Sequence, residues 1–460
     1  MKPSVGTLHK NMKYIVTPMT NTKQVSLQIY VPVGSRDEAN DISGLSHLLE
    51  HMIFQGSESY PDVKDIGVKV YECGGYFNAF TSQSETVYHI ECGNSKKCIE
   101  SICEIAADVL YRSLFSPDKL ENEKKIVINE LRELASDPRQ LCSQRLQELM
   151  FKNTRLAADT GGTIQAIRSI TPDILRNFVN AYYTKGIIVS LTGGVDRAHA
   201  VKLLKKHFSE TPTYPCKKLD RIHNDVKRHL YPDHHKKASA KSKMIHSPDN
   251  SKHAFISCGY RGVPYKDISG YYTLCLISEL LTGYMGATLY KVLRHKKGLI
   301  YHVDSYVAQY EDLGYLYIEC SCENTLPQVR DTIETLSDYC KELHTRITIE
   351  EFESAKSHLL TGLDKDPENV HETGFETTLD MIHLGRILTY EEIRKTLQTI
   401  TFQDILTCSQ HIFEKGEYIS VTSEKDPGPM KRQNTKQKNT KRQTTKRKNT
   451  KKDKHHKRGR

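Results

Sequence analysis

Apolar and polar residues alternate with a period of two through Val25-Ser26-Leu27-Gln28-Ile29-Tyr30-Val31, which predicts a strand over 25–31. Elsewhere the period lengthens: residues 99–113 and 330–344 repeat their apolar positions at helical spacing and read as helices. Residues 120–133 read as a helix too, charged early and apolar through Ile126, Val127 and Leu131. Residues 44–54 differ from both patterns. Leu45, Leu48, Leu49, Met52, Ile53 and Phe54 make this helix apolar nearly all round, so burial is expected. Strands mixed with helices along the whole chain argue for an α+β or mixed α/β fold.

The pattern repeats. Ile42-Ser43-Gly44 recurs as Ile268-Ser269-Gly270 at an offset of 226, and Ile90-Glu91-Cys92 as Ile318-Glu319-Cys320 at 228. Asp137-Pro138 returns as Asp366-Pro367 at 229, and Lys185-Gly186 as Lys415-Gly416 at 230. Ile170 to Leu175 resembles Ile400 to Leu406. An ordered series with slowly growing offset is what loop insertions produce in a duplicated chain, and 460 residues suffice for two domains with cores of their own.

The buried helix carries the chemistry. His47, Glu50 and His51 form an H-x-x-E-H string. Residues 47 and 51 share a helix face, roughly 6 Å apart along the axis, within reach of one zinc ion at about 2.1 Å. Glu50, on nearly the same face, can take a proton from water activated by the metal. Two buried imidazoles and a carboxylate need partners, and a metal supplies one. A third protein ligand must come from elsewhere. Glu123 and Glu130, seven residues apart, share a face of the 120–133 helix, and Glu133 follows at a spacing of three. At the first repeat offset His47, Glu50 and His51 map to Thr273, Leu276 and Ile277, so the second half cannot hold a metal in the same way.

The inverted motif is the inverzincin signature. The chain resembles the M16 (pitrilysin) family of zinc peptidases, M16B type, the group of the mitochondrial processing peptidase subunits, its beta subunit included, and short bacterial relatives. The resemblance runs from Gly34-Ser35-Arg36-Asp37-Glu38 through Gly44-Leu45-Ser46, the motif, Gly74 to Ser82, Thr86-Val87-Tyr88 and the Glu123-x6-Glu130 pair. It implies a LuxS/MPP-like metallohydrolase fold: two homologous α/β sandwich domains facing each other around a cavity. The first domain, 1–208, would be catalytic and the second, 253–426, metal-free and in contact with substrate. By resemblance, Glu130 is the third ligand of one Zn²⁺ per chain, and Glu123 supports the site from behind. Arg294 and Tyr301 would clamp the substrate and help polarise its scissile carbonyl. Asn78, Ala79 and Phe80 would lie on an edge strand that pairs with an extended peptide. The implied activity is zinc-dependent endopeptidase cleavage of extended or unfolded peptides, by a chain alone, as a homodimer or beside an inactive M16 partner. A non-catalytic scaffold subunit is the alternative.

Composition adds three expectations. Residues 209–252, with His223, His229, His234 and His235, read as a solvated linker. Residues 427–460 hold 15 Lys and Arg against one Asp, leaving 51 basic and 55 acidic residues in the rest. Such a tail cannot bury apolar surface and should be disordered. It could hold nucleic-acid phosphates weakly, dock on an acidic partner or serve as a nuclear address, so a tail-driven nucleic-acid-binding protein is a third reading. Twelve scattered cysteines without a C-x-x-C pair, no run of 18 apolar residues and no presequence-like N-terminus predict reduced thiols, no membrane span and a cytoplasmic location.

Overall fold

A computed structural model describes residues 2–10, 12–184, 186–217, 246–247, 251–363 and 369–423. The linker histidines and the basic tail lie outside these residues. Strands β1 (Ser4–His9), β2 (Met12–Pro18), β3 (Gln24–Val31), β4 (Tyr76–Thr81), β5 (Thr86–Gly93) and β6 (Ile188–Gly193) form one sheet in the order β1-β2-β6-β3-β5-β4. Strands β7 (His246–Ser247), β8 (His253–Arg261), β9 (Ile300–Gln309), β10 (Gly314–Glu323) and β11 (Tyr418–Thr422) form a second, ordered β7-β11-β8-β10-β9. The segments β6-β3-β5-β4 and β11-β8-β10-β9 share their order and are antiparallel at every step. The drifting sequence repeat is therefore a duplicated four-strand core.

The predicted elements fall close to their places. Residues 99–113 lie in helix Lys96–Arg112 up to its cap Ser113, 330–344 mostly in Leu326–Lys341, and 120–133 in Pro117–Ser136. That last helix starts at Pro117, whose missing N–H costs nothing in a first turn. One position departs from the reading: Ile126 is 45 % exposed, and the apolar face is carried by Leu120, Val127 and Ile128.

Strand β3 departs in a more telling way. Alternation usually marks one wet face, yet Ser26, Gln28 and Tyr30 are all buried. Helix Val370–His383, from the second half, packs over β3 and β6 and keeps water from that face. The exchange is reciprocal, because helix Pro138–Met150 of the first half packs on β8 and β11. There Tyr317 Oη donates to Ser143 Oγ at 3.0 Å, and Cys142 Sγ lies 3.3 Å from the Phe255 carbonyl oxygen. The two exchanged helices follow the repeated Asp-Pro pairs.

A buried ion pair also crosses between the halves. The 1 % exposed Arg36 reaches Asp312 with both guanidinium nitrogens, Nη1 to Oδ1 at 3.2 Å and Nη2 to Oδ2 at 3.0 Å. Removing one member leaves the other charged and dry, which costs about 3–5 kcal/mol. Arg36→Ala is therefore expected to lower the unfolding free energy by about that amount in urea titrations. The double replacement Arg36→Met with Asp312→Leu should recover most of the loss; equal losses in both variants would show that the pair is not the cause. No helix among the described residues is long and apolar enough to cross a membrane.

Candidate metal centre and active site

The motif helix spans Leu45–Ile53, and its start is built by residues upstream. Gly44 sits at φ +90°, and a Cβ there would meet the Gly161 carbonyl oxygen at 2.3 Å, so only glycine fits. The Glu38 carboxylate accepts from the N–H groups of Gly44 and Ser46, each at 2.7 Å. It thereby satisfies donors that a helix start leaves unpaired. Burial pushes the Glu38 pKa up to about 7, against the pull of those two N–H groups. Leu45, Leu48, Leu49, Met52 and Ile53 are 1 % exposed or less and anchor the helix in the first core. Only the strip bearing His47, Glu50 and His51 is left half-buried and open.

Two imidazoles on that strip converge on one carboxylate. Glu130 Oε2, on helix Pro117–Ser136, lies 3.9 Å from His47 Nε2 and 3.5 Å from His51 Nε2. Ligand atoms around a tetrahedral zinc stand about 3.3 Å apart, so the two distances to Glu130 exceed that separation by only a few tenths of an ångström. His51 Nδ1 lies 3.0 Å from Oε2 of the buried Glu123. That bond puts the proton on Nδ1 and leaves the Nε2 lone pair aimed at the triangle, the support a metal-ligating histidine needs. Burial, then the neighbouring His51, pulls the His47 pKa down to about 4, so its imidazole is neutral at neutral pH. At His51 burial also pulls downward, but the Glu123 hydrogen bond and the charges of Glu130 and Glu50 outweigh it and leave the pKa raised. The donor set, two imidazoles and a carboxylate, fits zinc. Glu123→Ala is expected to weaken zinc binding by about 10–100-fold in chelator competition. Unchanged affinity would mean that Glu123 does not orient His51.

Glu50 points beside the triangle. Its Oε2 accepts from Thr81 Oγ1 at 2.6 Å. Burial pushes its pKa above the ordinary carboxylate value, partly offset by the Thr81 bond, the direction a general base at neutral pH needs. A cleft of about 400 Å³ opens here. His47, Glu50 and Glu130 form its floor, Ala79, Phe80 and Thr81 of β4 one wall, and Gln140, Ser143, Gln144 and Gln147 a neutral polar wall.

The structure thus brings together His47, Glu50, His51, Glu123 and Glu130, with Ala79 and Phe80 close by. Asn78 lies on the same strand and accepts the Ala79 N–H at 2.9 Å. Arg294 and Tyr301 are brought to each other instead. Arg294 Nη1 donates to the Tyr301 carbonyl oxygen at 3.0 Å, and its guanidinium lies 4.6 Å from the Tyr301 ring. Tyr301 is 78 % exposed, and neither residue lines the cleft. Sequence reasoning missed the hold of Thr81 on Glu50, although Thr81 stood in a stretch already singled out. It also missed the wall from Gln140 to Gln147, where nothing local marks a helix exchanged between halves. The second-half counterparts Thr273, Leu276 and Ile277 are buried core residues of helix Ile268–Thr282.

Comparison with known proteins places this geometry. The profile of "Insulinase (Peptidase family M16)" matches residues 14–164, and that of "Peptidase M16 inactive domain" matches 169–359. The chain belongs to peptidase family M16. The first match contains the whole His47–Glu130 cluster; the second contains the counterpart helix Ile268–Thr282, with Thr273, Leu276 and Ile277 at the motif positions. An M16 chain should have relatives of matching length, and it does. It is 26 % identical over 446 residues to the "Uncharacterized zinc protease" of Rickettsia felis, covering 93 % of this chain and 96 % of that one. It is 26 % identical over 423 residues to the "Uncharacterized zinc protease YmxG" of Bacillus subtilis, covering 91 % and 97 %. The crystal structure of a protease from Helicobacter pylori has the same fold, with a TM-score of 0.80 at 20 % identity over 92 % of this chain and 99 % of that one.

Proposed function

We propose that the chain is a zinc-dependent endopeptidase that cleaves extended or unfolded peptides. One observation carries this reading: one ligand atom each of His47, His51 and Glu130 lie within 4.8 Å of one another, with Glu50 beside them in a cleft.

His47, His51 and Glu130 would hold the ion. Zinc bound there supplies Lewis acidity, polarising the scissile carbonyl and bringing the pKa of water to about 7. Glu50 takes the proton as water attacks and passes it to the leaving amine. Thr81 fixes the carboxylate rotamer for that transfer. Strand β4 ends its sheet, so its outer backbone can pair with an extended peptide beside Glu50. The peptide would take over the Ala79 N–H that Asn78 now holds. Main-chain pairing tolerates many side chains; the lining side chains Gln140, Ser143, Gln144 and Gln147 are uncharged, and Asp159 is the acidic group that lines the cleft away from the motif. By family resemblance, the exposed Arg294–Tyr301 pair would add a second hold on the peptide.

Incubating the purified chain with an unbiased peptide library tests the reading. Cleavage is expected, halted by a zinc chelator and restored by added zinc. A zinc-loaded chain that cleaves nothing would instead favour a non-catalytic scaffold subunit.

A further inference from the structure

A second group of metal-ligating side chains lies on the opposite face of the first sheet. His89 and Glu91 belong to β5, where they alternate with Tyr88 and Ile90 of the first core, and so point the other way. Helix Val370–His383 of the second half covers that face and brings His371, its second residue, onto them. Glu91 Oε1 lies 3.2 Å from His371 Nδ1 and 3.7 Å from His89 Nδ1. One ligand atom from each of the three residues falls within 4.8 Å of the others, as in the His47–His51–Glu130 group. The two distances bracket the separation of about 3.3 Å expected around a tetrahedral zinc.

Two unsatisfied atoms point to a missing ligand. His89 is only 7 % exposed, and its Nδ1 has no hydrogen-bond partner. Gln28 is 1 % exposed; its Nε2 donates to the His371 carbonyl oxygen at 2.8 Å and stands 3.2 Å from His371 Nδ1, a contact a metal on that nitrogen would displace, while its Oε1 is buried and unpartnered. Buried polar groups left alone are costly and call for a water or an ion. The helix reaches this depth because residue 374 is glycine: a Cβ there would stand 3.2 Å from Gln28 Oε1 and 3.1 Å from Thr192 Oγ1. His371 is 28 % exposed, which leaves a route for water or a metal.

We propose that His89, Glu91 and His371 form a second divalent-metal site of the zinc class, which fastens the exchanged helix of the second half to the sheet of the first. Two imidazoles and one carboxylate suit zinc or cobalt(II) rather than calcium or magnesium. The site is independent of the peptidase reading and adds an ion to the single zinc per chain expected from the sequence.

The test uses the full chain with the first site disabled by His47→Ala and Glu130→Ala. Cobalt(II) titration of this variant is expected to bind about one equivalent with tetrahedral ligand-field absorption. Adding His371→Gln or, separately, Glu91→Gln should abolish that absorption. The linker and tail histidines are common to all the variants and cannot account for the difference. Zinc should also raise the melting temperature of the first variant and not of the other two, a comparison that requires all three to show the same folded circular dichroism before metal is added. Absence of the absorption in the first variant, or its persistence in both of the others, would overturn the proposal.

Discussion

Replacing Glu50 with Gln is expected to lower kcat for peptide cleavage by about 10²–10⁴-fold while zinc content stays unchanged. Glutamine fills the same space and can still accept from the Thr81 hydroxyl, which stands 2.6 Å from Glu50 Oε2, so the cleft keeps its shape. What disappears is the basic oxygen that takes the proton of the attacking water. Each tenfold of rate corresponds to about 1.36 kcal/mol of transition-state free energy, so the change amounts to about 3–5 kcal/mol. KM should move little, because peptide pairing along β4 does not involve Glu50. Full activity in this variant would remove Glu50 from the mechanism.

His51→Ala is expected to abolish retention of the active-site zinc, and activity with it. Alanine removes one of three protein ligands and leaves the Glu123 oxygen, 3.0 Å from His51 Nδ1, without its partner. Metal analysis after dialysis reads the first effect as the loss of one equivalent relative to the unaltered chain. Glu130→Gln serves as a control that spares packing, since the Glu130 side chain is 39 % exposed and lies on the cleft floor. Metal retained at the site in both variants would contradict the ligand assignment. Acid should act in the same direction as these substitutions. Binding needs unprotonated imidazoles, and His51 is the histidine of the pair whose pKa is raised, so it takes up a proton first as pH falls. Zinc affinity is therefore expected to decline as pH drops through the His51 titration and to return when pH is raised.

How much of this was legible in the chain depended on distance along it. His47, Glu50 and His51 declare themselves because one helix holds all three, and helical spacing alone puts them on a common strip. Glu130 and Glu123 were legible as a pair, but their attachment to His47 and His51 rested on resemblance, because spacing on one helix says nothing about which helix it faces. The duplicated core was legible from drifting tripeptides, whereas the exchange of helices between halves was not. An amphipathic helix shows that it needs a partner without showing which sheet supplies it. The same limit hid the Arg36–Asp312 pair, whose members are 276 residues apart, and the His89–Glu91–His371 group, drawn from β5 and a helix of the other half. Strand β3 shows the opposite failure: its alternating pattern looks half-wet, but tertiary packing buries both faces.

The account depends on one ion shared between helix Leu45–Ile53 and helix Pro117–Ser136. Anomalous diffraction at the zinc edge from crystals of the purified chain tests it most directly. A peak about 2 Å from His47 Nε2, His51 Nε2 and a Glu130 oxygen is predicted. An empty difference map between these three side chains in zinc-replete crystals, or side chains turned away from one another, would contradict it.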